Sequence, residues 1–251
     1  MPYIDRFQEK ATAYALGRPS YPTAAVDAIF ACAGKDIAAI ADVGSGTGIL
    51  TRQLLERGPV VYAVEPNDDM RAQADLALGS CPNYRSICAV AEHTTLDDQS
   101  VDVVTAAQAF HWFDPVAFRN ECARILRDDG NVFLLWNARE DAPIHRRLSA
   151  ICKAYCPTFD GFSGGMRRDD PHIRAFFDDA YDRWTFPCPI RADRQRFVER
   201  ALSSSYAPRR GERPYDAFVS ALHELFSEFC DGDAVSLPHS TVVYRNTRPL
   251  R

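Results

Sequence analysis

The stretch that decides the fold is Asp42-Val43-Gly44-Ser45-Gly46-Thr47-Gly48-Ile49-Leu50. It follows an apolar run, residues 37–43, that carries an acid near its end and is typical of a strand buried on both faces. It precedes a helical pattern over residues 49–57, which Gly58 ends. Glycines at alternate positions let the backbone turn tightly and let a ligand lie against bare peptide groups. The stretch therefore predicts a ligand-binding turn between a buried strand and a helix.

Strand and helix patterns alternate on both sides of this turn. The predicted strands cover residues 60–65, 84–90, 101–107 and 131–136, and the predicted helices cover residues 23–33, 68–78 and 115–126. Alternation of this kind predicts an α/β fold, in which helices cover both faces of a parallel sheet.

The pattern loosens after Arg139. Predicted helices cover residues 144–155, a short segment ending near 177, and 215–229, and predicted strands cover residues 181–186 and 241–245. We interpret residues 139–213 as a substrate lid inserted near the end of the sheet, and residues 1–22 as an N-terminal arm. The whole chain, residues 1–251, is expected to form a single domain.

The composition favours a cytoplasmic protein that acts on small molecules. A net charge of -5 argues against a nucleic-acid partner, which usually requires a basic face. The N-terminal residues do not resemble a secretory signal, and no apolar run is long enough to span a membrane. The eight cysteines form no Cys-x-x-Cys pair, so we expect buried free thiols and no metal site. The oligomeric state is not predicted.

Glu65 stands at the end of the next predicted strand, about 20 residues after the turn, where a carboxylate can accept both hydroxyls of a ribose. A nicotinamide dinucleotide site would share such an acid, but it requires Gly-x-Gly-x-x-Gly, and Ile49 occupies the place of the third glycine. Asp42 would also sit poorly beside a pyrophosphate. A ligand with a cationic sulfonium and an α-amino group fits better, and a turn without any ligand is the remaining alternative.

These motifs resemble those of the class I S-adenosylmethionine-dependent methyltransferases. The resemblance lies in residues 42–50 for their first motif, 62–70 for the second, 91–96 with 100–104 for the third and fourth, and 128–133 for the entry to the fifth strand. It covers residues 3 to about 137 and is most evident with the small-molecule group of ubiquinone/menaquinone-type and trans-aconitate-type enzymes. It implies a doubly wound, mostly parallel seven-stranded sheet with lid helices in the C-terminal half, and S-adenosylmethionine as the cofactor.

The resemblance also implies a role for individual residues in cofactor binding. The methionine and ribose portions would lie along Gly44, Ser45, Gly46 and Gly48. Asp42 would hold the amino group, directly or through water, and Glu65 would hold the ribose hydroxyls. The remaining cofactor contacts implied are Pro66 and Met70 beside the adenine, Ala91 and Glu92 at its edge, Gln108 through its backbone, and Tyr14 and Arg18 over the carboxylate. For Tyr14 and Arg18, packing and a solvated charge are equally good interpretations.

Residues 110–114 follow the fourth strand at the edge of the sheet where ligands bind in such folds. His111 is the best candidate for a general base, because imidazole ordinarily titrates near ~6.5. The alternative is that His111 only orients the substrate or packs against the cofactor. Trp112 and Phe113 offer aromatic walls for a substrate pocket, or they belong to the core.

The acceptor is expected to be an oxygen atom, in a carboxylate or a hydroxyl group, of a small molecule. The Asn/Asp-Pro-Pro-Tyr/Phe/Trp signature of amino-group methylation is absent from the sequence. Residues 139–213 contain 14 Arg and one Lys against 11 Asp plus Glu, an excess of +4 that would attract an anionic substrate. Two rival functions remain open: a protein that binds S-adenosylmethionine without transferring its methyl group, and an NAD-dependent oxidoreductase.

Overall fold

The computed structural model describes residues 20–33, 36–162, 170–204 and 206–250. The chain divides into two compact units: the first comprises residues 1–136, 166–186 and 241–251, and the second comprises residues 137–165 and 187–240. The predicted lid, residues 139–213, overlaps with the second unit, but residues 166–186 belong to the first. The single-domain organisation expected from the sequence stays a prediction.

The first unit is built around a seven-stranded sheet with the strand order β3-β2-β1-β4-β5-β9-β6. Strands β3, β2, β1, β4 and β5 pair in parallel. The strands of both units are β1 (Ala39–Val43), β2 (Val60–Val64), β3 (Tyr84–Ile87), β4 (Val101–Ala107), β5 (Leu126–Arg139), β6 (Tyr181–Pro187), β7 (Ile190–Asp193), β8 (Ala234–Leu237) and β9 (His239–Asn246). The predicted α/β fold with a mostly parallel sheet is confirmed.

Helices begin and end close to the predicted positions in the first half of the chain. They are α1 (Thr23–Ala33), α2 (Ile49–Leu55), α3 (Asp68–Leu78), α4 (Pro115–Ile125), α5 (Pro143–Tyr155), α6 (Pro171–Phe176), α7 (Arg194–Leu202) and α8 (Tyr215–Phe229). Side-chain caps fix two of the starts: Asn67 accepts from the amide of Met70, and Asp114 accepts from the amides of Val116 and Ala117. Within the described parts of the chain, every helix is too short or too polar to cross a membrane.

The core of the first unit lies between the central strands and the helices beside them. Fully buried members come from α1, from the central strands and from α2, and they include Ile29, Ile40, Leu54, Val61, Val103 and Phe133. This apolar core holds the carboxyl ends of β1, β2 and β4 in fixed positions, and the predicted ligand-binding residues follow those strand ends.

Two strands differ from the prediction. Residues 128–130, predicted as a turn, lie inside β5. The pairing of β4 with β5 changes register at this point, from Val101 opposite Leu126 to Val103 opposite Asn131. The turn residues are therefore accommodated as an irregularity within the strand. β3 ends at Ile87, earlier than predicted, and Cys88 is exposed where we expected a buried thiol.

The second unit combines α5, α7 and α8 with the antiparallel pair β7–β8. Its core contains Leu148, Phe197, Phe218, Leu222 and Val235. Helix α7 and the β7–β8 pair were not predicted from the sequence. Helix α7 contains as many charged as apolar residues, so its apolar pattern is weak.

Candidate functional site

The glycine turn leaves the carboxyl end of β1 and is held against the end of β2. The amides of Gly44 and Ser45 both donate to the carbonyl oxygen of Val64, at 2.8 and 3.1 Å. Gly44, Gly46 and Gly48 all have positive φ angles, of 68°, 57° and 79°. Glycine adopts this left-handed region without the steric cost that a Cβ brings. The turn is therefore a consequence of the three glycines.

The three glycines differ in what surrounds them. A Cβ on Gly44 would lie 2.6 Å from Cβ of Ala109, and one on Gly48 would lie 2.7 Å from Cδ1 of Leu78. A Cβ on Gly46 would meet nothing within 4 Å. Gly44 and Gly48 are therefore needed for close packing, whereas Gly46 faces open space that a ligand can occupy.

The Glu65 carboxylate lies directly beside Gly46. Its Oε2 accepts from the amide of Gly46 and its Oε1 from the amide of Asn67, each at 2.9 Å. Burial raises the pKa of Glu65, and these two amides and Arg71 oppose the rise. Each carboxylate oxygen can accept a second hydrogen bond, so Glu65 can still receive two neighbouring hydroxyls of a ligand.

Two hydroxyl groups of the turn are buried and have no hydrogen-bond partner in the part of the chain that the structure describes. Ser45 Oγ and Thr47 Oγ1 have no hydrogen-bond partner among the described residues. Buried polar atoms are usually satisfied, so unsatisfied ones next to open space indicate a place for a polar ligand. Ser45 was predicted in the site and Thr47 was not, although its position between Gly46 and Gly48 is a signal that could have identified it.

Asp42 is enclosed at the end of β1. Its Oδ2 accepts from the Thr51 hydroxyl at 2.6 Å, and its Oδ1 accepts from the Thr105 hydroxyl at 2.8 Å. Burial raises the pKa of Asp42, while the two hydroxyl groups act in the opposite direction. Asp42 therefore joins β1 to α2 and β4, which is a structural role that the motif alone did not indicate. Its predicted contact with a cofactor amino group stays a prediction.

The residues predicted beside the adenine lie at the start of α3 and after β3. Met70 and Ala91 are buried, and Pro66 is half-buried. The Glu92 carboxylate accepts from the amide of Asp114 at 2.8 Å, and it thereby fastens the segment after β3 to the start of α4. Their contacts with a cofactor stay predictions.

The segment after β4 turns sharply at Gln108, whose φ is 57°. Its amide donates to the carbonyl oxygen of Leu135 at 2.9 Å. A left-handed conformation in a residue other than glycine costs free energy, and such strain is frequent at functional sites.

A short 3-10 helix, Phe110–Trp112, carries the candidate base. His111 is exposed, and its ring centroid lies 4.7 Å from that of Trp112. Phe113 packs edge-on against Phe118 at 4.9 Å, and its Cζ would lie 3.0 Å from a Cβ at Gly44. Phe113 therefore supports the glycine turn, whereas His111 is accessible to a ligand.

Tyr14 and Arg18 lie outside the described residues, and their predicted contacts stay predictions. Among the residues that the structure describes, no group of three or more His, Cys, Asp or Glu side chains could hold a metal ion.

Comparisons with known proteins agree with this geometry. Residues 41–134 match the family model described as a methyltransferase domain. An uncharacterised methyltransferase of Mycobacterium bovis is 42% identical over 135 residues, which are 54% of this chain and 53% of that protein. Malonyl-[acyl-carrier protein] O-methyltransferase of Geobacter sulfurreducens is 37% identical over 101 residues, which are 39% of this chain and 38% of that protein.

A solved structure shows a similar fold over nearly the whole chain. It is a proposed type II methyltransferase of Anaeromyxobacter dehalogenans, with a TM-score of 0.64 and 21% identity, covering 91% of this chain and 97% of that one. The sequence match to the M. bovis relative spans about half the length of each protein. Residues 41–134 are therefore similar in sequence to methyltransferase domains, and the seven-stranded sheet has the fold of the class I methyltransferases.

Proposed function

We propose that the protein binds S-adenosylmethionine at the glycine turn and transfers its methyl group to an oxygen atom of a small molecule. The observation that carries the proposal is the open space at Gly46. The amide of Gly46 donates to the Glu65 carboxylate, and the adjacent residues Ser45 and Thr47 carry buried hydroxyls that have no partner among the described residues. Bound S-adenosylmethionine supplies a methyl group that its positive sulfur already activates. The protein therefore has to position the reactants and exclude water.

Each part of the site has a task in this proposal. Glu65 receives the ribose hydroxyls with the free lone pairs of its two oxygens. Ser45 and Thr47 supply hydroxyls for the polar groups of the methionine portion. The further cofactor contacts we propose are Asp42 for the amino group, Pro66, Met70, Ala91 and Glu92 around the adenine, and the Gln108 backbone for the methionine portion.

An oxygen acceptor is favoured by two observations. The G. sulfurreducens relative is named as an O-methyltransferase. Residues 139–213 carry the excess of +4 charges, which would attract a carboxylate-bearing molecule. The overall charge of -5 favours a small molecule over nucleic acid. We place the reaction in the cytoplasm, because all eight cysteines are free thiols.

Calorimetry tests the cofactor assignment. We expect S-adenosylmethionine and S-adenosylhomocysteine to bind with affinities of about micromolar order, and we expect no binding of NAD. The physical reason is that Ile49 replaces the third glycine that a dinucleotide requires. Binding of NAD without binding of S-adenosylhomocysteine would disprove the assignment.

A turnover experiment separates the enzyme from a protein that only binds the cofactor. The protein is incubated with methyl-labelled S-adenosylmethionine and a metabolite extract, and both S-adenosylhomocysteine and labelled products are measured. We expect labelled product with an O-methyl group. Tight cofactor binding without turnover would favour the binding protein instead.

Replacing Glu65 by alanine should weaken cofactor binding roughly 10- to 100-fold, because hydrogen bonds to a charged group are worth about 1.5–3 kcal/mol each. The amides of Gly46 and Asn67 also lose their acceptor, so we expect a lower free energy of unfolding as well. Calorimetry with S-adenosylhomocysteine and urea unfolding measure the two effects. Glu56→Ala, at an exposed acid beyond α2, is the control. Unchanged affinity in the folded Glu65→Ala protein would contradict the ribose contact.

A further inference from the structure

Two nearly buried histidines contact each other inside the second unit. His145 lies in the first turn of α5 and His239 begins β9, and only 5% and 4% of their surfaces are exposed. The two rings meet edge to face, with centroids 5.1 Å apart. His145 belongs to the first segment of this unit, residues 137–165, and His239 belongs to the second, residues 187–240. The contact therefore joins the two segments from which the unit is built.

The surrounding backbone fixes both rings. Nδ1 of His145 lies 2.8 Å from the carbonyl oxygen of Glu140. Nδ1 of His239 lies 3.0 Å from the carbonyl oxygen of Leu237. A carbonyl oxygen only accepts hydrogen bonds, so Nδ1 carries the proton in each ring. The amide of Glu140 donates to the carbonyl oxygen of Pro238 at 3.0 Å, which holds the two segments together at the same place. These contacts suit two neutral rings that are protonated at Nδ1.

A proton added to either ring would destabilise this contact. Nε2 of His145 is buried and has no hydrogen-bond partner among the described residues, so a proton there would create a charged donor without an acceptor in that part of the chain. Two protonated rings would in addition repel each other across the 5.1 Å that separates their centroids. The closed arrangement therefore favours the neutral form of both rings.

The surroundings of the pair act mainly through burial. The other charged and titratable groups around it are Arg139 on β5, Glu140 at the entrance to α5, Cys152 on α5, Arg200 on α7 and Tyr206. Burial has the largest effect and lowers the pKa of both histidines, that of His239 to about 4. Arg139 and Arg200 act in the same direction, and Glu140 acts against it at His145. Burial raises the pKa of Cys152 to about 12 and also raises that of Tyr206, so both are uncharged at neutral pH. Because burial is the largest effect, the pair stays neutral whichever groups the two guanidinium groups contact.

We infer that the contact between His145 and His239 is a pH-sensitive switch, which opens the second unit when a mildly acidic solution protonates the two rings. Opening exposes the rings to water, where each takes up one proton at the ordinary imidazole pKa of about 6.5. The pKa of His239 is about 4 in the closed unit, so the open form binds more protons between these two values. The contact therefore stabilises the closed unit fully above about pH 6.5, and this stability is lost as the pH falls towards about 4. The inference concerns conformation and stands without the proposed methyl transfer.

Hydrogen exchange of backbone amides in the whole chain, without S-adenosylmethionine, tests this switch. Exchange is followed by mass spectrometry at about pH 7.5, 6 and 5 and is corrected for the pH dependence of unprotected amides. Between the first and the last of these values, proton uptake by His239 alone shifts the opening equilibrium by roughly 30-fold, and His145 adds to this shift. We expect an increase in opening of at least this size in α5 and α8, and a clearly smaller one in β1 and β4 of the first unit. An equal increase in both units, or none in the second, would overturn the switch.

Asparagine variants identify the responsible rings. His239→Asn keeps an amide donor near the position of Nδ1 but cannot take up a proton, so the increase in the second unit should become smaller by roughly 30-fold. His145→Asn should also reduce the increase, and it serves as the test if the first variant does not fold. His223→Asn, which removes an exposed histidine from α8 of the same unit, should leave the increase unchanged. A full increase in the buried-histidine variants that fold, or an equal reduction by His223→Asn, would overturn the assignment to this pair.

Discussion

Gly46→Ala is expected to abolish S-adenosylmethionine binding while the protein stays folded. At the φ of 57° a Cβ costs about 1–2 kcal/mol of backbone strain, but it would meet no atom within 4 Å. The new methyl group would instead enter the space beside Glu65 where we place the cofactor. We expect at least a roughly 100-fold loss of affinity, which corresponds to about 2.7 kcal/mol. Calorimetry with S-adenosylhomocysteine and urea unfolding measure affinity and stability separately.

Gly44→Ala is the matched control, since it makes the same change two residues away. Its φ is also positive, so the backbone strain is similar, but its Cβ would lie 2.6 Å from Cβ of Ala109. Overpacking typically adds about 1–3 kcal/mol to the cost. Gly44→Ala should therefore destabilise the protein clearly more than Gly46→Ala does. Retained affinity in Gly46→Ala would show that the cofactor does not lie over this glycine.

The parallel strands of the sheet could be predicted because their own residues show the apolar pattern of buried strands. Residues 101–107 are apolar almost throughout, and the strand observed there has those same bounds. Helix α3 was also predicted with its observed bounds, since Pro66 and Asn67 mark its entrance and Asn67 caps it.

The second unit could not be predicted to the same degree. Helix α7 has the sequence Arg-Gln-Arg-Phe-Val-Glu-Arg-Ala-Leu, and only Phe197, Val198 and Ala201 turn inward. So few apolar residues give a weak periodic signal in a helix this short. Its formation depends on the core of the second unit, which includes Phe218 and Val235, and such tertiary contacts are not visible in local sequence.

The candidate site, too, could be predicted only in part from the sequence. The spacing between the turn and Glu65 predicted a carboxylate that accepts ribose hydroxyls, which stays a prediction; the structure places this carboxylate 2.9 Å from the amide of Gly46. The different surroundings of the three glycines could not be predicted, because they depend on Ala109 and Leu78, which are distant in sequence. The enclosure of Asp42 by Thr51 and Thr105 likewise requires the three-dimensional arrangement of three elements.

His111→Ala is expected to lower turnover by roughly 10²- to 10⁴-fold when the acceptor is a hydroxyl group, because a positioned base contributes about that factor. His111 is exposed on the 3-10 helix that follows β4, so a substrate can reach its ring. Cofactor affinity should change little, since the glycine turn and Glu65 remain intact. The measurement is turnover against pH with the acceptor found by methyl labelling. Turnover of the native enzyme should fall as the pH is lowered and the imidazole base is protonated, and the variant should lack this dependence.

The same experiment distinguishes the two oxygen acceptors. A carboxylate is already ionised at neutral pH, so its methylation releases no proton and needs no base. His111→Ala should then retain most of its turnover and mainly raise the KM for the acceptor. His93→Ala, which removes another exposed histidine of the first unit, is the control for unspecific effects. For a hydroxyl acceptor, a native profile that is flat through the imidazole range would refute the role of His111 as a base, because a proton would then leave without it.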